Sequence, residues 1–483
     1  MSRRKERKQA VPVSPYPDLP GRPWWGLYAG MGRDPVQDGK VQGGKQPPDP
    51  TRRMAYAGPE SSVMVIGPPR SGKTSSVVVP CVLDAPAAVV STSTKPDVLA
   101  ATFYRRFALG NCYVFDPSGS TAVPPGAVAL RWSPVTGCER FERAVSMAHS
   151  LASATRPQAA LTESAHWVER AQALLAPLLF AAALRDRDMA TVCRWVLARD
   201  LREPEAVLRD AGHEMAEAVL AGVAATDDRE RSGIFSTSAG LLAAYRSEAA
   251  LAGATDPNFD PGRFAESTDA VYVCAPAHAQ DQLAPVIVAL LEQIREAVLA
   301  RPRGAAPVVF ALDEVAGIAP LPSLPALAAE GGGQGLVTLA CLQDLSQARA
   351  RWGEAAEGFF SLFNQKLVFP GIGDYRTLHL ISALAGDMQI PVRTVNNPDP
   401  WESLLSRGAA VRTVSTSTTW RPRLPIDQVS KGMPGYVLRI RPEGMDYLAA
   451  VPWWQHPVWS TAANHGFPRF AEQVRPMSAE LGP

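Results

Sequence analysis

Short apolar runs, separated by stretches with helical periodicity, mark the first third of the chain and return in its last third. Val63–Ile66 (VMVI), Ala87–Ser91 (AAVVS) and Cys112–Phe115 (CYVF) are four or five residues long and end in turn-forming residues. Such runs between helical segments predict buried strands of a parallel sheet covered on both faces. Ala270–Cys274 (AVYVC), Val308–Leu312 (VVFAL), Leu336–Leu342 (LVTLACL) and Lys366–Phe369 (KLVF) resume the pattern. From about 139 to 265 alanine, leucine and arginine dominate instead, and helical spacing is clear in His166–Leu184 and Ala216–Ala225. The pattern predicts an α/β fold whose parallel sheet is split by an all-α insertion.

The ends carry little periodicity. Residues 1–55 are rich in proline, glycine and charge, with eleven Lys or Arg against five Asp or Glu, a net charge of about +6. They are expected to form a flexible basic arm, either a solvated tail or a contact for an anionic partner. The tail 453–483 holds Trp453, Trp454 and Trp459 without a clear period. The most apolar uninterrupted run, Leu174–Leu184, spans eleven residues and contains Pro177. That is short of the ~18 residues of a membrane span and reads as a buried helix, so no transmembrane segment is expected.

Composition adds bounds. The chain has 483 residues, 46% hydrophobic and 20% charged, room for several cored domains. A net charge of +1 gives no global basic signature, so nucleic-acid binding cannot be read from it. Cys81, Cys112, Cys138, Cys193, Cys274 and Cys341 are scattered with no C-x-x-C pair, a usage that points neither to zinc nor to a redox motif and suits a reducing cytoplasm.

Chemistry enters directly after the first strand. Gly67-Pro68-Pro69-Arg70-Ser71-Gly72-Lys73-Thr74 fits G-x-x-x-x-G-K-[ST], between a strand and a helix as a phosphate-cradling P-loop requires. The glycines let backbone N–H groups turn toward phosphate oxygens, and the following helix adds its positive end. Lys73 can reach the β- and γ-phosphates and the Thr74 hydroxyl can bind magnesium; Ser75 completes the expected nucleotide-binding set. The implied ligands are a nucleoside triphosphate, ATP, and Mg2+.

The strand Val308–Leu312 ends in Asp313-Glu314. An acid at the end of a neighbouring strand holds the magnesium shell in P-loop enzymes, a role Asp313 fits. Glu314 is the candidate general base for water. Gln343 ends the next strand, where a polar side chain would either sense the γ-phosphate or be a surface glutamine. Thr94-Lys95-Pro96-Asp97 matches the guanine-reading [NT]-K-x-D pattern but follows the P-loop by only about twenty residues. It reads as a loop after the second strand, from which Lys95 could approach nucleotide or DNA.

With these pieces in order, the chain resembles the coupling-protein ATPases of conjugation and type IV secretion, the TraG/TraD family, over about residues 60–450. The resemblance rests on GPPRSGKT, STKPDVL, FDPSG, RWSPVTG, HWVERAQALLAPLL, RSGIFSTSAGLLAAY, the long block LDEVAGIAPLPSLPALAAEGGGQGLVTLACLQDLSQARARWG and FNQKLVFPGIGD. It implies a RecA-like P-loop NTPase domain over 56–138 and 266–452 and an all-α domain over 139–265 that recognises the DNA-processing complex. It further implies a homo-hexameric ring at the cytoplasmic mouth of a secretion channel, driving relaxase-bound single-stranded DNA through it.

Two departures qualify the resemblance. Typical members of the family begin with a transmembrane anchor, which is not expected here, so the alternatives are recruitment to the inner face of the plasma membrane by a partner or membership of an anchorless branch. Many also carry an arginine in the glycine-rich loop before the glutamine strand, where this chain has Gln334. Arg349, Arg351 and Arg376 are then the candidates for an arginine acting on a neighbouring subunit. Two other functions stay open: a nucleotide-switched cargo adaptor without significant turnover, and a double-stranded DNA pump of the FtsK/HerA type.

Overall fold

The computed structural model describes residues 26–32, 54–154, 162–396 and 413–464. Its fourteen strands are β1 Tyr28–Met31, β2 Met54–Tyr56, β3 Val63–Ile66, β4 Val89–Ser93, β5 Cys112–Phe115, β6 Val128–Ala129, β7 Ala270–Cys274, β8 Val308–Leu312, β9 Leu336–Leu342, β10 Gln365–Val368, β11 Asp387–Asn396, β12 Thr413–Pro422, β13 Tyr436–Arg441 and β14 Gly444–Ala449. Twelve form one sheet in the order β2-β1-β14-β13-β10-β3-β9-β8-β4-β7-β5-β6. From β10 to β6 every neighbouring pair is parallel, while β13, β14, β1 and β2 extend the sheet antiparallel.

The parallel core forms where the sequence places it because its central strands β3, β4, β7, β8 and β9 are buried along their whole length. A strand apolar on both faces is stable only between two layers of helices. β4 and β10 start respectively two residues later and one earlier than the apolar runs suggest; at such ends hydrogen-bond pairing rather than hydrophobicity sets the limit.

Every described element between Phe141 and Ala265 is helical. The helix Thr162–Leu184 lies at the centre, packed by Phe141–Ser153, Arg202–Asp210, Glu214–Ala224 and Asp228–Leu241. Gly233 allows the last of these to approach: a Cβ there would stand 2.5 Å from the Trp167 ring. Over the window Ala165–Leu184 this helix is long and apolar enough to cross a membrane by length and composition alone, but most of it is buried inside the fold, as the buried helix that the sequence suggested. Leu174 to Ala183 are all buried, in one core with Ile66 and Val90 of the sheet. The segment before the helices is fastened to the helix Gln280–Leu299, where Gln293 accepts from Trp132 Nε1 at 2.6 Å and donates to the Thr136 carbonyl at 3.2 Å.

Both ends depart from the sequence expectation. Within 1–55, Tyr28–Met31 is a buried strand rather than part of a flexible arm; residues 1–25 and 33–53 lie outside the described residues. In the expected tail, the helix Pro457–Ala463 lays fully buried Trp459 edge-on against Tyr28, with ring centroids 5.2 Å apart. Each segment is too short to show a period, and each is ordered by the other. Residues 465–483 lie outside the described residues.

The sequence also gave no sign of the β13–β14 pair or of β11–β12, a separate two-stranded hairpin. The described residues of that hairpin are exposed on both faces apart from half-buried Ile390, so no alternation of apolar and polar positions could mark it.

Candidate active site

β3 runs into the P-loop, and Gly67 N–H donates to the Leu342 carbonyl at 3.2 Å, tying the loop to the end of β9. Gly67 must be glycine, since a Cβ would stand 2.6 Å from the Phe369 Cβ. Gly72 has φ +100°, a conformation that side chains rarely adopt. Pro69 and Arg70 form the exposed tip of the loop. The helical segment beyond opens with a π-turn, Thr74–Val78, and continues as α-helix to Asp84. Such turns concentrate at functional sites.

Lys73 is buried and folds back on its own loop, its Nζ donating to the carbonyls of Gly67 at 2.5 Å and Pro68 at 3.1 Å. Ser75 Oγ donates to the Gly72 carbonyl at 3.3 Å. Ser71 Oγ is buried without a hydrogen-bond partner among the described residues. A loop with an unpartnered inner hydroxyl and an inward-folded lysine fits a phosphate group that would accept from both.

The strand order brings the rest together. β9 separates β3 from β8, so the ends of these three strands lie side by side. Thr74 Oγ1 donates to Asp313 Oδ2 at 2.6 Å, and Glu314 N–H donates to Asp313 Oδ1 at 3.1 Å. Gln343 at the end of β9 places its Nε2 3.5 Å from Glu314 Oε2. Lys73, Thr74, Asp313, Glu314 and Gln343 thus form one cluster. One carboxylate and one hydroxyl suit Mg2+, which keeps most of its shell as water and phosphate oxygen.

Burial raises the pKa of Asp313, opposed by the Thr74 hydrogen bond and by Lys73. Burial also raises Glu314; Lys73 opposes that shift and Asp313 reinforces it. A carboxylate pushed up toward neutrality is better matched to accepting a proton from water. Glu314 also sits at φ 50°, ψ 46°, a left-handed conformation unfavourable for a residue with a side chain. Strained residues of this kind cluster at functional sites.

Two supports were not visible in the sequence. Thr92, buried in β4, donates its hydroxyl to the Asp313 carbonyl at 2.8 Å and so holds the turn that carries both acids. Arg349 Nη2 pairs with Asp374 Oδ2 at 3.0 Å, and Leu345 N–H donates to Thr377 Oγ1 at 3.2 Å. These bonds link the segments following β9 and β10, the two neighbours of β3. In sequence, Thr92 is only a polar residue in a strand, with nothing to indicate its partner.

The arginines sort differently than the sequence alone suggested. Arg349 is engaged with Asp374, and Arg351 pairs with Asp281 at 3.1 Å. Arg376 is exposed at the start of the helix Tyr375–Ala385. Gln334 lies at the start of β9, the end of the sheet away from the P-loop. Lys95 is exposed on the loop beyond β4.

The profile of the type IV secretory system conjugative DNA transfer family matches residues 29–432. The chain belongs to that family. No curated protein matches its sequence. Among solved structures, this family member is similar to the bacterial conjugative coupling protein TrwB. The unbound form of TrwB lacking its N-terminal segment gives a TM-score of 0.61 at 15% identity, over 81% of this chain and 85% of that one. TrwB with the non-hydrolysable ATP analogue ADPNP gives 0.62 at 15% identity, over 82% and 86%. TrwB with ADP and Mg2+ gives 0.61 at 16%, over 81% and 85%. At that identity the likeness establishes the fold: a RecA-like P-loop α/β domain with a mainly parallel sheet, the architecture expected from the sequence.

Proposed function

We propose that this chain binds ATP with Mg2+ and hydrolyses it to move single-stranded DNA toward a type IV secretion channel. The observation that carries the reading is the meeting of Thr74 and Asp313 beside a strained, partly buried Glu314. A switch that only binds nucleotide needs the first pair but not the second acid.

In this reading the P-loop backbone and Lys73 hold the β- and γ-phosphates, and Thr74 and Asp313 hold the metal shell. A Mg2+ ion held there would supply positive charge against the charge that develops on the phosphate oxygens. Glu314 orients a water in line with the γ-phosphorus and takes its proton as the new P–O bond forms and the bond to the β-γ bridging oxygen breaks. Gln343, between the P-loop and Glu314, loses a partner when the γ-phosphate leaves. That TrwB has been solved with ADPNP and with ADP and Mg2+ supports the choice of ligand.

The family assignment supports the wider setting: a homo-hexamer recruited to the inner face of the plasma membrane, fed by a relaxase complex that the helices of 139–265 recognise, with 56–138 and 266–452 as the motor. Arg376 is the arginine left to act on a neighbour's site, since Arg349 and Arg351 are committed to Asp374 and Asp281. That commitment also favours one second reading, a cargo adaptor switched by nucleotide without turnover.

ATPase activity measured with and without single-stranded DNA separates the two. The motor reading expects DNA-stimulated turnover that Lys73→Ala and Glu314→Gln abolish. Turnover at background in every oligomeric state, with nucleotide-dependent assembly intact, would leave only the adaptor.

A further inference from the structure

The nucleotide site has a direction. Glu314 and Gln343, the groups that would meet the γ-phosphate, stand at the ends of β8 and β9, on one side of the P-loop strand β3. β10 pairs with β3 on the other side. A triphosphate whose last phosphate faces β8 and β9 leaves its α-phosphate, sugar and base to extend over the segment that follows β10.

That segment is built against the loop. A Cβ added at Gly67 would stand 2.6 Å from the Phe369 Cβ, and one at Gly72 3.7 Å from the Phe369 Cε1. One added at Gly371 would stand 3.1 Å from Pro68 Cγ. Gly371 has φ +95°, which glycine adopts without strain. Its N–H donates to the Ser430 carbonyl at 2.7 Å, and Ser430 Oγ donates to the Ile372 carbonyl at 3.0 Å, so the path of the segment is fixed. A Cβ at Gly373 would meet nothing within 4 Å, which leaves open ground beyond Pro68. The helix Tyr375–Ala385 then begins, capped by the Asp374 carboxylate, which accepts from Thr377 N–H at 3.0 Å. Tyr375 comes four residues after Gly371, a span of at most about 14 Å. It is 65% exposed, and its ring meets that of His379, one turn on, edge to face with centroids 4.1 Å apart.

We infer that Tyr375 stacks on the base of the nucleotide whose phosphates the P-loop holds, with His379 bracing the tyrosine ring, and that purine triphosphates are taken in preference to pyrimidine ones. An aromatic face at the rim of a phosphate cradle, on the side where the nucleoside must leave, is the surface a base covers. Stacking responds to ring area rather than to the donors and acceptors on a base edge, so the larger purines gain more. The inference rests on the reading of the P-loop as a triphosphate site and assigns the other end of that ligand.

The test is titration calorimetry, with Mg2+ present, of a non-hydrolysable ATP analogue, its CTP counterpart and inorganic tripolyphosphate, which carries the phosphate chain without a base. Full-length wild type, Tyr375→Ala, Tyr375→Phe and His379→Ala are compared, with sedimentation of the same samples. Wild type should bind the ATP analogue more tightly than the other two ligands. Tyr375→Ala should weaken the ATP analogue about tenfold while tripolyphosphate keeps its wild-type affinity and the gap between ATP and CTP narrows. Tyr375→Phe, which keeps the ring, should bind as wild type does, and His379→Ala should lose less than Tyr375→Ala. Sedimentation should not change. Wild-type ATP affinity in Tyr375→Ala overturns the base subsite and leaves the P-loop reading standing; if sedimentation alone changes, Tyr375 is a contact between copies. An equal loss for tripolyphosphate makes Tyr375 a support of the loop, which also overturns the subsite. A wild type that binds neither the ATP analogue nor tripolyphosphate overturns the subsite and the nucleotide reading together.

Discussion

Thr74 and Asp313 are 239 residues apart in sequence and share a 2.6 Å hydrogen bond. The hydroxyl donates to the carboxylate, so in this state each is held by the other. A magnesium ion would draw on the same two oxygens, and the pair is therefore preset for the metal. Thr74→Val should lower Mg2+-dependent ATP affinity without unfolding the protein, because the Thr74 side chain is only half-buried. Equilibrium binding of a fluorescent ATP analogue with and without Mg2+ checks this; equal affinity in both forms would refute the metal role.

Glu314 makes two demands that a pair of substitutions separates. Glu314→Gln keeps the shape and removes the base, and should lower kcat by about 10²–10⁴-fold while nucleotide binding persists. The left-handed backbone costs a side-chain-bearing residue about 1–2 kcal/mol that glycine avoids. Glu314→Gly should thus be more stable than Glu314→Ala by about 1 kcal/mol, with both inactive. Urea denaturation of the two variants gives the difference directly.

Thr92 tests how firmly the acids must be held. Thr92→Val keeps the volume but leaves the buried Asp313 carbonyl without its 2.8 Å donor, a loss of about 1–3 kcal/mol. Because Thr92 does not touch nucleotide in the proposed arrangement, kcat should fall further than KM changes. A variant destabilised but with wild-type kcat would make Thr92 purely structural.

If Arg376 acts on a neighbour's γ-phosphate, Arg376→Ala should reduce turnover by ~10³-fold. Mixing Arg376→Ala with Lys73→Ala should then recover activity, because some interfaces would pair an intact P-loop with an intact arginine. No recovery at any mixing ratio would place the arginine's role within its own subunit.

His456 supplies the pH dependence. It is buried between Met31 and Trp459, with its Nδ1 accepting from Val458 N–H at 3.2 Å and its Nε2 3.2 Å from Met31 Sδ. Burial pushes its pKa down to about 4. The unfolded chain takes up a proton near pH 6.5, the folded chain only near pH 4. Between those values the unfolded state binds more protons, so this residue's stabilisation is present above pH 6.5 and is lost as pH falls toward 4. His456→Asn keeps a helix-capping side chain and removes the titration. Its urea midpoint should vary less than wild type's over pH 4–6.5, and parallel curves would refute the assignment.

Much of the site was legible because it is written locally. The P-loop is eight consecutive residues, and Asp313-Glu314 terminates a strand that burial on both faces makes uniformly apolar. β3, β5, β7, β8 and β9 begin and end where their apolar runs do. What lacked a local signature was missed: Tyr28–Met31 and the helix around Trp459, each too short to show a period, and the polar ribbon of β11 and β12, which has no buried face to impose one.

The nucleotide motif, the acids, the alternating α/β core and the family could all be read along the chain, since each depends on residues close together in it. The place of β9 between β3 and β8 emerges in the packed fold alone, and with that order came the Thr74–Asp313 bond, the position of Gln343 beside Glu314 and the support from Thr92. Strand order is a property of how helices cross over a sheet, and hydrogen bonds between strand ends follow from it. No pattern within one strand specifies its neighbour.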